Sequence, residues 1–188
     1  TGGGEKKTLD SVGKIFNAGE KINNIVRHFS QYVRPHSPAR EIFSPAEVVA
    51  ECLVFARYDL GRSNVTLNLP ERMPSGVLNA DRRDFALVML SLLFNGAEAM
   101  ASKGGELRLE ISRQDGEWEF AVADEGHGIP PGIAGKVFDE GFTTKDGPLH
   151  AGIGLPVARC LAEGMGGTLS LSNLSAGGCK AVLRLPGN

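Results

Sequence analysis

Trp118-Glu119-Phe120-Ala121-Val122-Ala123-Asp124-Glu125-Gly126-His127-Gly128-Ile129-Pro130 reads as a strand that runs straight into a glycine turn. Trp118, Phe120 and Val122 sit at every second position, the pattern of a half-buried strand. Upstream, Leu107, Leu109 and Ile111 alternate in the same way, and Gln114-Asp115-Gly116 supplies a turn between the two segments, so they form a hairpin. The return strand ends on a carboxylate, Asp124, with Gly126 and Gly128 following at two and four residues. A carboxylate at a strand end can accept a hydrogen bond from an exocyclic amine such as that of adenine. Glycine lets the backbone pass close under a planar base. The same residues also make a common turn, so alone they leave both readings open.

Around this hairpin the chain alternates helices and short strands. Ser44-Pro45-Ala46-Glu47 has the features of a helix start: a serine cap, a proline at the first helical position and a capping-box glutamate. That helix is predicted to run to about Leu60 and end at Gly61. Val65, Leu67 and Leu69 alternate as a strand. A second helix spans about 81–100; it is apolar through Phe85-Ala86-Leu87-Val88-Met89-Leu90 and must lie between a sheet and another layer. A short helical piece is expected near 136–138, a polar, mobile loop over 141–150 and a helix over 155–165. Two final strands, 168–171 and 180–185, flank a Gly177-Gly178 turn. This order predicts an α+β fold, a two-layer sandwich of a mixed, mostly antiparallel sheet with helices on one face.

Before this body of about 44–188 lie three smaller pieces. Residues 1–5 read as a flexible lead. Residues 6–34 read as one stalk helix, with Ile15, Ala18, Ile22, Ile25, Phe29 and Tyr32 at heptad-like spacing; residues 35–43, with Pro35 and Pro38, read as a linker. The spacing fits either an amphipathic helix packed on its own domain or one that pairs with a second copy.

Composition excludes several functions. The formal net charge of -2 over 188 residues gives no electrostatic reason to expect nucleic acid as a partner. No apolar run approaches the roughly 20 residues of a membrane span, so the expected location is the cytoplasm, compatible with an inner-membrane anchor in a longer parent. Cys52, Cys160 and Cys179 are too scattered for a metal site and read as reduced thiols. Most of the 25 glycines fall from Gly96 onward, which concentrates turns and close backbone approaches in the second half.

Two further segments carry chemistry. Asn95, in Leu92-Leu93-Phe94-Asn95-Gly96-Ala97-Glu98-Ala99, offers a hard, neutral amide oxygen suited to a magnesium ion that keeps most of its waters; it also reads as a plain helix-surface asparagine. His150-Ala151-Gly152-Ile153-Gly154-Leu155 enters a helix, where unpaired backbone N–H groups favour phosphate oxygens. Thr143, Thr144 and Lys145 precede it and add hydroxyls and charge. His150 reads equally as a loop residue or as a cation near a γ-phosphate.

Order and spacing bring these segments together. The chain resembles, over about 43–186, the catalytic ATP-binding domain of the sensor histidine kinases of two-component systems, in the superfamily of DNA gyrase, the Hsp90 chaperones and the MutL proteins. The segment around Asn95 looks like that family's N box, Asp124 to Pro130 its first glycine box, and Val137 to Lys145 its F box. Gly152-Ile153-Gly154-Leu155 looks like its second glycine box, and Met165-Gly166-Gly167-Thr168-Leu169 resembles the turn that follows. The resemblance implies a Bergerat-type fold, with ATP and magnesium as cofactors.

It further implies that Asn95 coordinates magnesium, Asp124 reads the adenine amine, and Gly126, Gly128 and Ile129 shape the base pocket. Gly152, Gly154 and Leu155 belong to a lid over the triphosphate, with Phe138, Thr143, Thr144, Lys145 and His150 nearby; Asn95 and Lys145 carry the catalytic roles. The implied partners are a dimerisation and phosphoacceptor domain, a response-regulator receiver, and a second copy through the 6–34 helix. The implied reaction positions the γ-phosphate for in-line attack by an acceptor imidazole. None of His28, His36, His127 and His150 has the acidic neighbour and upstream helical setting of the family's acceptor, which is expected to lie outside this chain.

Departures are local. Ser91 stands where the family has a second asparagine and its ATP-hydrolysing relatives a glutamate base, so gyrase-like hydrolysis is disfavoured. Glu98 replaces a residue that is often basic, Cys179 a frequent threonine, and the second glycine box is one glycine short. They keep two alternatives in view: a degenerate nucleotide-binding module that signals without kinase activity, and a protein-serine kinase of the anti-sigma-factor type.

Overall fold

The computed structural model describes residues 39–62, 64–144 and 152–187. The chain divides into two units, Thr1–Ser37 and Pro38–Asn188, and every described residue belongs to the second. The predicted stalk helix over 6–34 therefore lies outside the described residues. In order, the elements are β1 (Arg40–Phe43), α1 (Pro45–Arg62), β2 (Val65–Asn68), β3 (Leu78–Asp81), α2 (Arg82–Ala99), β4 (Gly105–Gln114), β5 (Glu117–Asp124), a 3-10 turn (Pro131–Lys136), α3 (Gly154–Gly164), β6 (Thr168–Asn173) and β7 (Cys179–Pro186).

Five strands form one sheet in the order β2-β4-β5-β7-β6, with β2 and β4 parallel and the other neighbours antiparallel. The expected α+β sandwich is the observed fold. One face of the sheet carries the buried row Leu107, Leu109, Trp118, Phe120, Val122, Ala181, Leu183 and Leu185, and the helices cover it. The other face is polar, with Lys180 paired to Glu110 diagonally across β5 and Arg184 paired to its register partner Glu119. Such exposed pairs contribute little to stability.

Helix α1 starts at Pro45, where the missing N–H costs nothing, and carries Glu47 in its first turn near the positive end of the helix dipole. Val48, Val49, Cys52, Leu53, Ala56 and Leu60 are buried at spacings of three and four. Helix α2 is the centre of the helical layer. Asp81 caps it, with Oδ1 accepting from the N–H groups of Arg83 and Asp84 at 2.9 and 3.1 Å and Oδ2 accepting from that of Ala39 at 2.9 Å. From Phe85 to Leu93 every residue of α2 is buried.

Three details differ from the sequence reading. Residues 40–43, at the end of the stretch read as a linker, form β1 and pair antiparallel with β3, Phe43 opposite Leu78. Arg40-Glu41-Ile42-Phe43 has no apolar alternation, and Leu78-Asn79-Ala80-Asp81 alternates over only four residues. Helix α1 continues through Gly61 to Arg62, because an exposed glycine near a helix end weakens the helix without breaking it. The helical piece expected near 136–138 is a 3-10 turn at Pro131–Lys136, started by the fixed φ of Pro131.

The two layers meet on an aromatic ladder. Phe85 of α2 lies 4.9 Å from Phe120 edge-on and 5.6 Å from Phe43, and Phe120 stacks on Trp118 at 5.8 Å. The Trp118 indole N–H donates to the Val77 carbonyl at 3.3 Å, so its one polar atom is satisfied inside the core. Removing the Phe85 ring leaves a cavity between α2 and β5. Phe85→Ala should cost roughly 3–5 kcal/mol, measured by urea denaturation; a loss below about 1 kcal/mol would show that the layers do not depend on this contact.

Candidate functional site

The loop after β5 is built around one carboxylate. Asp124, the last residue of β5, is 7% exposed. Its Oδ1 accepts from the Gly126 N–H at 2.8 Å and the Cys179 N–H at 3.3 Å. Both bonds fall on one oxygen, so Oδ2 remains as the acceptor for a ligand. Burial raises the Asp124 pKa above the usual carboxylate value, and the two N–H groups, then the His127 and Lys103 charges, partly offset that rise. Burial, and then the Asp124 charge, push the neighbouring Cys179 thiol up to about 11, so it stays neutral and inert near pH 7.

Glycine is needed on two sides of this carboxylate. A Cβ on Gly126 would lie 2.7 Å from the Ala99 Cβ and 2.8 Å from the Ala99 carbonyl oxygen, at the end of α2. Gly178, at φ +89°, backs directly on the Asp124 carbonyl. The His127 Nδ1 is 2.6 Å from the Gly128 carbonyl; a carbonyl only accepts, so Nδ1 carries the proton.

The second end of the site is the start of α3. Its first residue, Gly154, follows Ile153, and no side chain caps the helix, so its first N–H groups are available to an anion. Gly152 has φ +64°, and a Cβ there would meet the Phe142 carbonyl at 2.5 Å. The Gly141 N–H donates to the Gly152 carbonyl at 3.3 Å, which joins the segment after the 3-10 turn to the approach to α3. The Arg159 guanidinium of α3 stands 4.8 Å over the Phe138 ring and fixes that same segment to the helix.

Helix α2 links the two ends. The Ser91 hydroxyl donates to the Gly154 carbonyl at 3.3 Å, and a Cβ on Gly96 would lie 3.6 Å from the Asp124 Cβ. From Ser91 to Gly96 the helix rises ~7.5 Å, which suits the separation of a purine from its phosphates across the ribose. Asn95, half-buried and four residues after Ser91, shares its face of α2 and lies along this span.

The structure thus brings together Asp124, Gly126, Gly128 and Ile129 at one end, and Phe138, Gly152 and Gly154, with Leu155 next in α3, at the other; Asn95 lies on α2 between the two ends. Thr143 and Thr144 are exposed beside the second group. Lys145 and His150 lie outside the described residues.

The family profile for the histidine kinase-, DNA gyrase B-, and HSP90-like ATPases matches residues 80–188. The chain belongs to this ATPase family. Among relatives, it is 30% identical over 188 residues to the sensor protein TdiS of Thauera aromatica, covering 97% of this chain and 34% of TdiS. The chain thus spans about a third of that relative's length. The catalytic domain of the histidine kinase ThkA, in a nucleotide-free form, superposes with a TM-score of 0.70 at 22% identity, over 79% of this chain and 97% of that one. Full-length ShkA, in complex with AMPPNP, gives a TM-score of 0.72 at 18% identity, over 96% of this chain and 39% of ShkA. The fold is shared with both. The body of the chain is therefore an ATPase domain of the histidine kinase-, DNA gyrase B- and HSP90-like family.

Several of the family site's contacts were not anticipated from the residues. Gly96 is marked by no turn, and Gly178, read only as a turn residue, also backs on the Asp124 carbonyl. The Ser91 hydroxyl ties α2 to α3 through the Gly154 carbonyl, a contact that position 91 alone does not announce. Asn173, at the end of β6, holds Ile129 by two hydrogen bonds of 2.7 Å each. Its partner is 44 residues away, and no local pattern marks it.

The geometry fixes what an amide at position 124 would do. An amide oxygen must occupy the Oδ1 position to satisfy two N–H donors, which turns its NH2 toward the ligand's amine. Asp124→Asn is expected to weaken ATP binding roughly 10–100-fold by calorimetry, and unchanged affinity would remove Asp124 from the base contact. Stability should move the other way. A carboxyl whose pKa is raised by folding holds its proton more tightly in the native state, so ionising it costs stability as pH climbs past about 4. In thermal melts the Asn variant should match the parent at low pH and exceed it at neutral pH.

Proposed function

We propose that this chain is the catalytic portion of a sensor histidine kinase that transfers the γ-phosphate of ATP to a histidine on a separate helical domain, for relay to a response-regulator receiver. The observation that carries the reading is the span along α2: an acceptor oxygen for the base at Gly96 and an uncapped helix start for the phosphates at Ser91, with Asn95 along it.

In this reading Asp124 Oδ2 accepts from the adenine amine, while Gly126, Gly128 and Ile129 form the backbone floor beneath the ring. The N–H groups at Gly152, Gly154 and Leu155 take phosphate oxygens. Thr143, Thr144, Lys145 and His150, on the adjoining loop, add donors and charge around the γ-phosphate, and Phe138 holds that loop's approach to α3. The acceptor imidazole nitrogen attacks the γ-phosphorus as the bond to the β-γ bridging oxygen breaks, and ADP leaves. Domain and acceptor are best placed by pairing of two chains through residues 6–34.

A divalent ion fits the donor set. Among the described residues no three His, Cys, Asp or Glu side chains gather into a protein cage, and magnesium does not need one, since it keeps waters and takes phosphate oxygens. Asn95 would hold it through the amide oxygen, and the ion would neutralise phosphate charge. Ser91 cannot remove a proton from water, and its hydroxyl is already engaged with Gly154, which favours phosphotransfer over hydrolysis.

The test is calorimetric titration with ATP and ADP, with and without magnesium, followed by transfer of labelled phosphate to an acceptor hairpin supplied in trans. Magnesium should strengthen ATP binding in the parent chain and have little effect in Asn95→Ala, and the label should appear as an acid-labile phosphohistidine. No binding at millimolar nucleotide would replace this reading with that of a signalling module without kinase activity.

A further inference from the structure

The turn between β6 and β7 grips the base-site loop at two points. At the first, the Asn173 side chain acts as a clamp: Oδ1 accepts from the Ile129 N–H at 2.7 Å, and Nδ2 donates to the Ile129 carbonyl at 2.7 Å. This copies the paired bonds that two strand residues exchange in an antiparallel bridge. At the second, the Cys179 N–H donates to Asp124 Oδ1. Asn173 and Cys179 face each other as the last register pair of β6 and β7, so one rigid pair of strand ends holds both sides of the loop.

The space between is filled to contact. The Leu174 N–H donates to the Gly178 carbonyl at 3.1 Å and closes the turn. Gly128, at φ +68°, passes over it: a Cβ there would lie 3.0 Å from Asn173 Oδ1 and 3.2 Å from the Gly178 carbonyl. Asn173 itself is exposed, and its removal would leave the Ile129 groups to water without opening the core. That arrangement is poorly suited to stabilising the fold and well suited to setting the height of one stretch of backbone.

We infer that Asn173 is a positioning residue for base recognition, holding the Gly128–Ile129 backbone at a fixed height against the carboxylate of Asp124 and so enforcing choice of an amino-purine over a keto-purine. The inference rests on the nucleotide reading given above. A carboxylate oxygen accepts from an amine and repels a carbonyl at the same ring position. That discrimination holds only while the base is kept in one plane; a loosened floor lets a keto-purine slide away from the repulsion.

The experiment titrates the parent chain, Asn173→Ala and Asn173→Asp with ATP and with GTP, magnesium present, and follows Ile129 amide exchange and the thermal midpoint. Asn173→Ala should lose about tenfold in ATP affinity and about twofold or less in GTP affinity, with faster Ile129 exchange and a nearly unchanged midpoint. Asn173→Asp keeps the acceptor for the Ile129 N–H but sets a carboxylate oxygen against its carbonyl, so it should lose at least as much ATP affinity as alanine; it decides the matter if the alanine variant does not fold. ATP affinity equal to the parent's would overturn the inference alone, as would equal proportional losses of ATP and GTP. A parent chain that binds neither nucleotide would overturn the proposed function with it.

Discussion

Helix α2 is apolar on nearly every side, and the domain is arranged to cover it. Nine consecutive residues, Phe85 to Leu93, are buried, so a single covering surface is not enough: the sheet takes one side, and α1 and α3 flank the rest. Burial of this size is the main favourable term in folding. The consequence for function is positional. A helix pinned so thoroughly cannot drift, and its last turns carry Asn95 and Gly96 toward the end of the sheet where Asp124 closes the central strand β5.

The same closeness explains which glycines are needed. At Gly96 and Gly126 the helix end and the loop after β5 approach until a methyl group would strike Leu107 or Ala99. At Gly178 the β6–β7 turn lies against the Asp124 carbonyl. At Gly126 and Gly178 backbone comes nearer to backbone than a side chain allows, while Gly96 makes room for the Leu107 side chain; together they leave Asp124 buried with one oxygen fully used and the other available.

That carboxylate is a local cost retained by the fold. Desolvation disfavours its charge, and its bonds to Gly126 and Cys179 only partly offset the penalty. An amide would satisfy the same two N–H groups without a buried charge. Retention of the carboxylate fits the general pattern in which sites keep groups that structure alone would not choose. The open, polar face of the sheet makes the contrast: its charges are paired across strands in water, where they cost and contribute little.

The residues by themselves determined the α+β architecture, because the alternation in 107–111 and 118–122, the long apolar helix and the glycine punctuation each follow from local periodicity. They also marked the segments of the proposed site, since Asn95, Asp124 and Gly152 to Leu155 stand in recognisable order and spacing. Tertiary structure decided the rest. Strands β1 and β3 pair with each other across about 40 positions, and β1 carries no alternation that would mark it. Ser91 meets Gly154 across 63 positions, and Asn173 meets Ile129 across 44. Hydrogen bonds between residues so far apart are set by how layers pack, and no local rule of propensity or spacing encodes them.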